Sequence, residues 1–249
     1  MFGSLFNRPR SHIFVACFPK SGSTYLCKAL EALTSFQAGF VAEHGKHNDQ
    51  DISARRLRRL KSSSVIQQHA KGTCNNVRLL AERRLRPIVH VRNIFDVVVS
   101  LYDHLKREDD RVPTGYVHRE YWTSSHAEQL DYLIQVHLPW YFNFLVSWHE
   151  ASEKLPVFVS TYERLMADRT LLLQEIAGFY SLSVSDEQIS RAIESADGQS
   201  TRRNRAIVGR GQTELSARHQ EAIWRLARVW QISPALWDRV GLAAATAAA

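Results

Sequence analysis

Little in this chain could staple, anchor or repeat it. Cysteine is scarce: three residues in 249, Cys17, Cys27 and Cys74. Their odd number and their lack of metal-ligand spacing exclude a disulfide framework or a zinc knuckle, and predict reduced thiols in a cytoplasmic protein. Long apolar runs are missing too. None approaches the roughly 20 residues of a membrane span, residues 13–18 are too short to be one, and the N-terminus shows no apolar signal-peptide core. There is no internal repeat and no Gly-x-x-x-x-Gly-Lys-Ser/Thr loop, and no acidic residue stands convincingly at a strand end as a Mg²⁺ ligand. Those absences weigh against a nucleotide kinase or NTPase. Acidic residues are outnumbered, 25 against 32 lysines and arginines, for a net charge of +7. Such an excess suggests anionic partners, but no recognised nucleic-acid-binding motif accompanies it.

What is present reads as an α/β protein of one domain. A hydrophobic content of 45% and a charged content of 23% are ordinary for a globular chain. Short apolar runs at 13–18, 64–68, 87–91 and 156–160 predict strands of a buried parallel sheet. Helical patterns lie between them: after residue 23, at 75–84, from Asn93 onward, at about 128–153 with a kink at Pro139, at 169–180, at 185–196, and from 213 to about 241. In the helix after Asn93 the apolar stripe is Ile94, Val97, Val98, Leu101 and Leu105, with Asn93 as N-cap and Asp96 placed for a near capping box. Alternating strands and helices predict a central parallel sheet with helices on both faces. Residues 1–11 read as an extension, 12–241 as the domain and 242–249 as an alanine-rich tail.

The most informative segment is Pro19-Lys20-Ser21-Gly22-Ser23-Thr24-Tyr25-Leu26. A strand that stops and feeds a helix through small hydroxylated residues makes an anion site. Unpaired amides converge on the positive end of the helix dipole, and Lys20 adds a full charge. The segment resembles the 5′-phosphosulfate-binding loop of sulfotransferases that use 3′-phosphoadenosine 5′-phosphosulfate (PAPS), where Trp usually stands at the place of Tyr25. Val89-His90-Val91-Arg92, continuing through Asp96 to Ser100, resembles that family's 3′-phosphate segment, an arginine at a strand end followed eight residues later by a serine. An arginine leaving a strand can grip a phosphate with two parallel hydrogen bonds.

Other residues fall into place under the same resemblance, which runs over about 12–213. His69, after the strand at 64–68, corresponds to the catalytic base of the cytosolic members, although Gln67 stands where they often have lysine. His44 and His47, in a polar loop, are the alternative bases. The arginine-rich stretch at 197–213 occupies the place of the C-terminal cofactor loop, with Arg203, Arg210 and Gly211 chosen as 3′-phosphate contacts; the family's following Trp is missing. Ser160-Thr161-Tyr162-Glu163-Arg164 resembles the family's Tyr-Glu-Asp-Leu turn. It would bring Tyr162 near the adenine, and Tyr25 could stack on the same base; core packing is the other reading of both tyrosines.

The resemblance implies a P-loop NTPase-like fold and a PAPS-dependent sulfotransferase without a metal. Lys20 and the amides of Ser21, Gly22, Ser23 and Thr24 would hold the phosphosulfate, and His69 would take the acceptor's proton. The acceptor is read from composition alone. Segments 40–52 and 108–127, the latter with Tyr116, Tyr121 and Trp122, suggest a glycan or polar metabolite. The basic run at 55–61 is either a solvated helix face or a recognition surface for an anionic acceptor.

Overall fold

Alternation along the first strand divides the interior into two cores. In β1 (His12–Cys17), Ile13, Val15 and Cys17 point into one, and Phe14 and Ala16 into the other, as the two-residue period of a strand requires. The structure, a computed structural model, describes residues 11–43, 51–107, 114–199, 207–230 and 234–242.

Four further strands join β1: β2 (Gln37–Gly39), β3 (Ser64–Gln68), β4 (Pro87–Val91) and β5 (Phe158–Thr161). Their order is β2-β3-β1-β4-β5, and every pairing is parallel. The chain crosses from β3 over β1 to β4, so strand order reverses at β1. In open parallel sheets ligands bind at the carboxyl ends beside such a reversal. Register aligns those ends: Ala16 sits opposite both Gln68 and Val89, and Cys17 opposite His90. The residues that follow each strand, Phe18 onward, His69 and Arg92, therefore emerge at one level.

Helices cover both faces. One core packs α1 (Ser23–Thr34), α8 (Arg169–Phe179) and α9 (Asp186–Asp197) on the sheet, through Leu26, Leu30, Ile176 and Ile189. The other is larger. It holds α3 (Cys74–Glu82), α4 (Ile94–Arg107), α6 (Leu138–Ser152) and α11 (Ala217–Val229). The whole stripe expected on α4 is buried. Asn93 caps α4 as expected, its Oδ1 accepting from the amides of Phe95 and Asp96 at 3.0 and 3.3 Å.

Several expectations are refined. The long helix expected over 128–153 is two helices, α5 (His126–Tyr132) and α6, joined by a π turn at Leu133–His137. Pro139 in the first turn of α6 has no amide to give the preceding turn, and the ladder widens there. The edge strand β2 and the short helix α7 (Tyr162–Ala167) were not expected. The basic run at 55–61 contains α2 (Ala54–Arg58), in which Leu57 is buried and Arg55 pairs with Glu43 at 2.8 Å. The C-terminal third adds α10 (Arg210–Glu214) and α12 (Pro234–Asp238). Among the described residues no helix is long and apolar enough to cross a membrane, and Cys17, Cys27 and Cys74 form no disulfide.

Candidate active site

The turn after β1 is built from two left-handed residues, Lys20 at φ 66° and Gly22 at φ 77°. Left-handed geometry at a lysine is uncommon and costs energy, and it is held here by the surroundings. Ser21 between them is fully buried and ties the turn down by donating its Oγ hydrogen to Phe18 O at 2.8 Å. Gly22 is the N-cap of α1 and, being glycine, supplies no side-chain cap; no acidic residue lies in the first turn. Most other helices are capped by a hydroxyl or carboxylate, such as Ser53, Thr73, Ser185 and Ser216. The start of α1 is left as a positive, amide-lined terminus, the kind of helix end that suits an anion.

Gly22 is required twice over. Its φ is left-handed, and a Cβ there would sit 2.7 Å from Cδ2 of Tyr162. The Tyr162 ring lies against Gly22 on one side, and the Arg92 guanidinium stands 4.2 Å from its centroid. Arg92, 7% exposed at the end of β4, donates Nη1 to Lys20 O at 3.1 Å and Nη2 to Ile207 O at 3.3 Å and Asp96 Oδ2 at 3.4 Å. Its Nε is buried without a hydrogen-bond partner. A buried, orphaned guanidinium donor is costly unless an acceptor meets it. Ser100, also buried, lies one turn beyond Asp96 on the same face of α4.

His69 completes this end of the sheet. Its Nδ1 lies 2.8 Å from Cys17 O. A carbonyl only accepts, so Nδ1 carries the proton and Nε2 is the basic nitrogen. The Cys17 thiol, 3.4 Å from the same Nδ1, is pushed up to about 12 by burial and stays protonated at neutral pH. Gln67 donates Nε2 to Ser23 Oγ at 2.9 Å, linking the strand before His69 to the first turn of α1.

A family model described as a sulfotransferase domain matches residues 10–221. The chain belongs to the sulfotransferase family. Solved structures of similar fold include a mouse sulfotransferase complexed with PAP, 16% identical, with a TM-score of 0.65 over 87% of this chain and 82% of that one. Another is a retinol dehydratase in complex with androsterone and inactive cofactor PAP, 14% identical, with a TM-score of 0.59 over 90% of this chain and 81% of that one. At these identities the likeness is one of fold. No curated protein matches the chain.

Within this sulfotransferase domain most expected site residues converge. Lys20, Ser21, Gly22, Ser23, Thr24, His69, Arg92 and Tyr162 gather at the carboxyl ends of β1, β3, β4 and β5, and Ser100 lies in the second turn of α4. Tyr25 lies in the first turn of α1, 8% exposed, and is already partnered: Arg169 donates to its hydroxyl at 3.1 Å and stands 5.1 Å from its ring centroid. Arg203, His44 and His47 lie outside the described residues.

Arg210 and Gly211 lie beside α4. The Arg210 guanidinium is 7% exposed and held by Asp103 at 2.9 Å and Glu214 at 2.7 Å. The Gly211 amide donates to Asp96 Oδ1 at 2.8 Å. Both meet protein carboxylates.

The sequence reading missed three supports of this candidate site. Asp96, expected to reach back to the helix start, instead faces the 207–211 segment. Glu163 Oε1 accepts the Asn93 amide at 2.9 Å, taking the place of the reciprocal cap from another helix; burial raises its pKa. His90 is the third. It bridges Ser21 O and Ser160 Oγ, at 2.9 Å each, and burial lowers its pKa to about 4. A lone polar residue inside the apolar run of β4 was the one signal pointing to it.

Proposed function

We propose that the protein transfers the sulfuryl group of PAPS to a hydroxyl or amine of a small acceptor. The observation that carries the reading is a pair of anion sites at the ends of neighbouring strands, tied together by the Arg92–Lys20 hydrogen bond, with the basic nitrogen of His69 beside them. The orphaned Arg92 Nε fits a 3′-phosphate, and the uncapped first turn of α1 fits a phosphosulfate. Lys20, Ser21, Gly22, Ser23 and Thr24 hold the phosphosulfate; Arg92 and Ser100 hold the 3′-phosphate; Tyr162 borders the nucleotide. Bound there, PAPS supplies an activated sulfuryl group.

Catalysis of such a transfer asks the protein for positioning and for stabilisation of charge spread over oxygens. Lys20 and the α1 amides supply positive charge where negative charge accumulates. His69 Nε2 accepts the proton of the attacking group, and its tautomer is fixed in advance by Cys17 O. Tyr116 and Trp122 are the exposed aromatics of the acceptor segment, whereas Tyr121 is buried in the core. This composition supports a glycan or polar metabolite as acceptor. A cytoplasmic location is part of the proposal, supported by three cysteines none of which is in a disulfide.

Calorimetry tests the donor assignment. Adenosine 3′,5′-bisphosphate (PAP) binds about ten- to a hundredfold more tightly than AMP, since charged hydrogen bonds to the 3′-phosphate distinguish the two. Equal binding removes the roles given to Arg92 and Ser100.

A further inference from the structure

Asp96 is 1% exposed in the first turn of α4, and the helix does not need it as a cap. Asn93 Oδ1 serves the first amides, and Glu163 serves the Asn93 amide. The Asp96 carboxylate is spent on a distant part of the chain. Oδ2 accepts from the Gly209 amide at 2.9 Å and from Arg92 Nη2 at 3.4 Å, and Oδ1 accepts from the Gly211 amide at 2.8 Å. One buried side chain thus holds the strand-end arginine and two backbone amides more than a hundred residues later.

The segment it holds is shaped for this contact. Gly209 has φ 86°, which glycine alone adopts without strain. A Cβ on Gly211 would fall 2.3 Å from the Phe95 carbonyl carbon and 2.6 Å from the Asp96 amide, so only glycine lets the two backbones meet. Arg210 between them reinforces the join through Asp103, further along α4. The Ile207 carbonyl, at the near end of the segment, accepts from Arg92. Every polar group of Arg92 but Nε is therefore fixed by a protein partner, through Asp96 or beside it.

We propose that Asp96 is a positioning residue for recognition of the donor's 3′-phosphate. It clasps residues 207–211 and Arg92 to α4, so that the guanidinium meets the phosphate already oriented. The proposal rests on the donor reading above. It reassigns Gly211 and Arg210 from phosphate contacts to the clasp. Asp96 and Ser100 stand four residues apart on one face of α4, Arg92 reaches Asp96 from the strand end, and binding specificity follows from holding these residues and the loop as a unit. A donor site that needs no reorganisation keeps more of its interaction energy as affinity.

The test compares PAP with AMP on wild type and Asp96→Asn, an isosteric change that turns one of the two acceptor oxygens into a donor, so that one glycine amide loses its acceptor. Asp96→Asn weakens PAP binding about tenfold or more and leaves AMP affinity unchanged. Loss of both affinities in parallel, or an unchanged ratio of the two, overturns the proposal. A wild-type protein that does not prefer PAP refutes the donor reading itself, a distinct result. Should the variant not fold, hydrogen exchange on the wild-type chain decides. PAP slows exchange at the Gly209 and Gly211 amides and AMP does not; equal protection by both overturns the clasp.

Discussion

His69 and His90 are the same residue in two roles because the backbone offers each a different partner. His69 is half-buried and gives its Nδ1 proton to Cys17 O, so Nε2 is the nitrogen that the proposed function makes the base. His90 is fully buried and bridges a carbonyl and a hydroxyl. Ser21 O can only accept, so His90 donates from Nε2 and accepts from Ser160 at Nδ1, and only the neutral ring does both. The pH dependence of stability follows. The pKa of His90 is about 4 in the folded chain against 6.5 unfolded, so between those values the unfolded state binds the extra proton. Stability is intact above about pH 6.5 and falls as pH drops toward 4, by up to about 3 kcal/mol from this group. His137, also held near 4 by burial, adds in the same direction. Melting temperature followed from pH 7 to 4 therefore declines less steeply in His90→Asn than in wild type; parallel curves contradict the account.

At the scale of elements, the turn between β1 and α1 concentrates cost in a few residues. Lys20 is left-handed without being glycine, Gly22 is left-handed against a tyrosine ring, and α1 begins without a side-chain cap. A glycine N-cap forgoes about a few tenths of a kcal/mol that Ser or Asp would provide, and the amides so exposed are what an anion needs. Gly22→Ala shows how tight this arrangement is. It combines left-handed strain of about 1–2 kcal/mol with a Cβ 2.7 Å from Tyr162. The expected outcome is a melting temperature lowered by several degrees together with loss of measurable PAP binding, and retention of wild-type affinity would contradict the geometry. This element was legible in the sequence because strand, lysine, small residues and helix are contiguous. The Asp96 clasp was not. Asn93 and Asp96 look like a local capping pair, and nothing local reveals that Glu163 takes over one half and Gly209 and Gly211 the other.

For the molecule as a whole, parallel register does the assembling. Strands β1, β3 and β4 end level with one another, so three chain segments far apart in sequence deliver the Lys20 turn, His69 and Arg92 to one edge. The sheet and its two-sided helical cover were legible from short apolar runs alternating with amphipathic stretches. The three-residue edge strand β2 was not, since Gln37, Ala38 and Gly39 carry no apolar alternation and owe their conformation to pairing with β3. The commitments of Tyr25 to Arg169 and of Arg210 to Asp103 were hidden for a related reason: pairs formed across the fold leave no local pattern. The claim that this edge carries sulfuryl transfer is tested by PAPS labelled in its sulfuryl group, incubated with pools of sugars, phenols and amines. Wild type passes label to a hydroxylated polar acceptor; Lys20→Ala abolishes transfer, and His69→Ala lowers it by about 10²–10⁴-fold while PAP affinity of the His69 variant stays near wild type. Label that never leaves the donor with wild type, or that moves equally well with Lys20→Ala, would contradict the account.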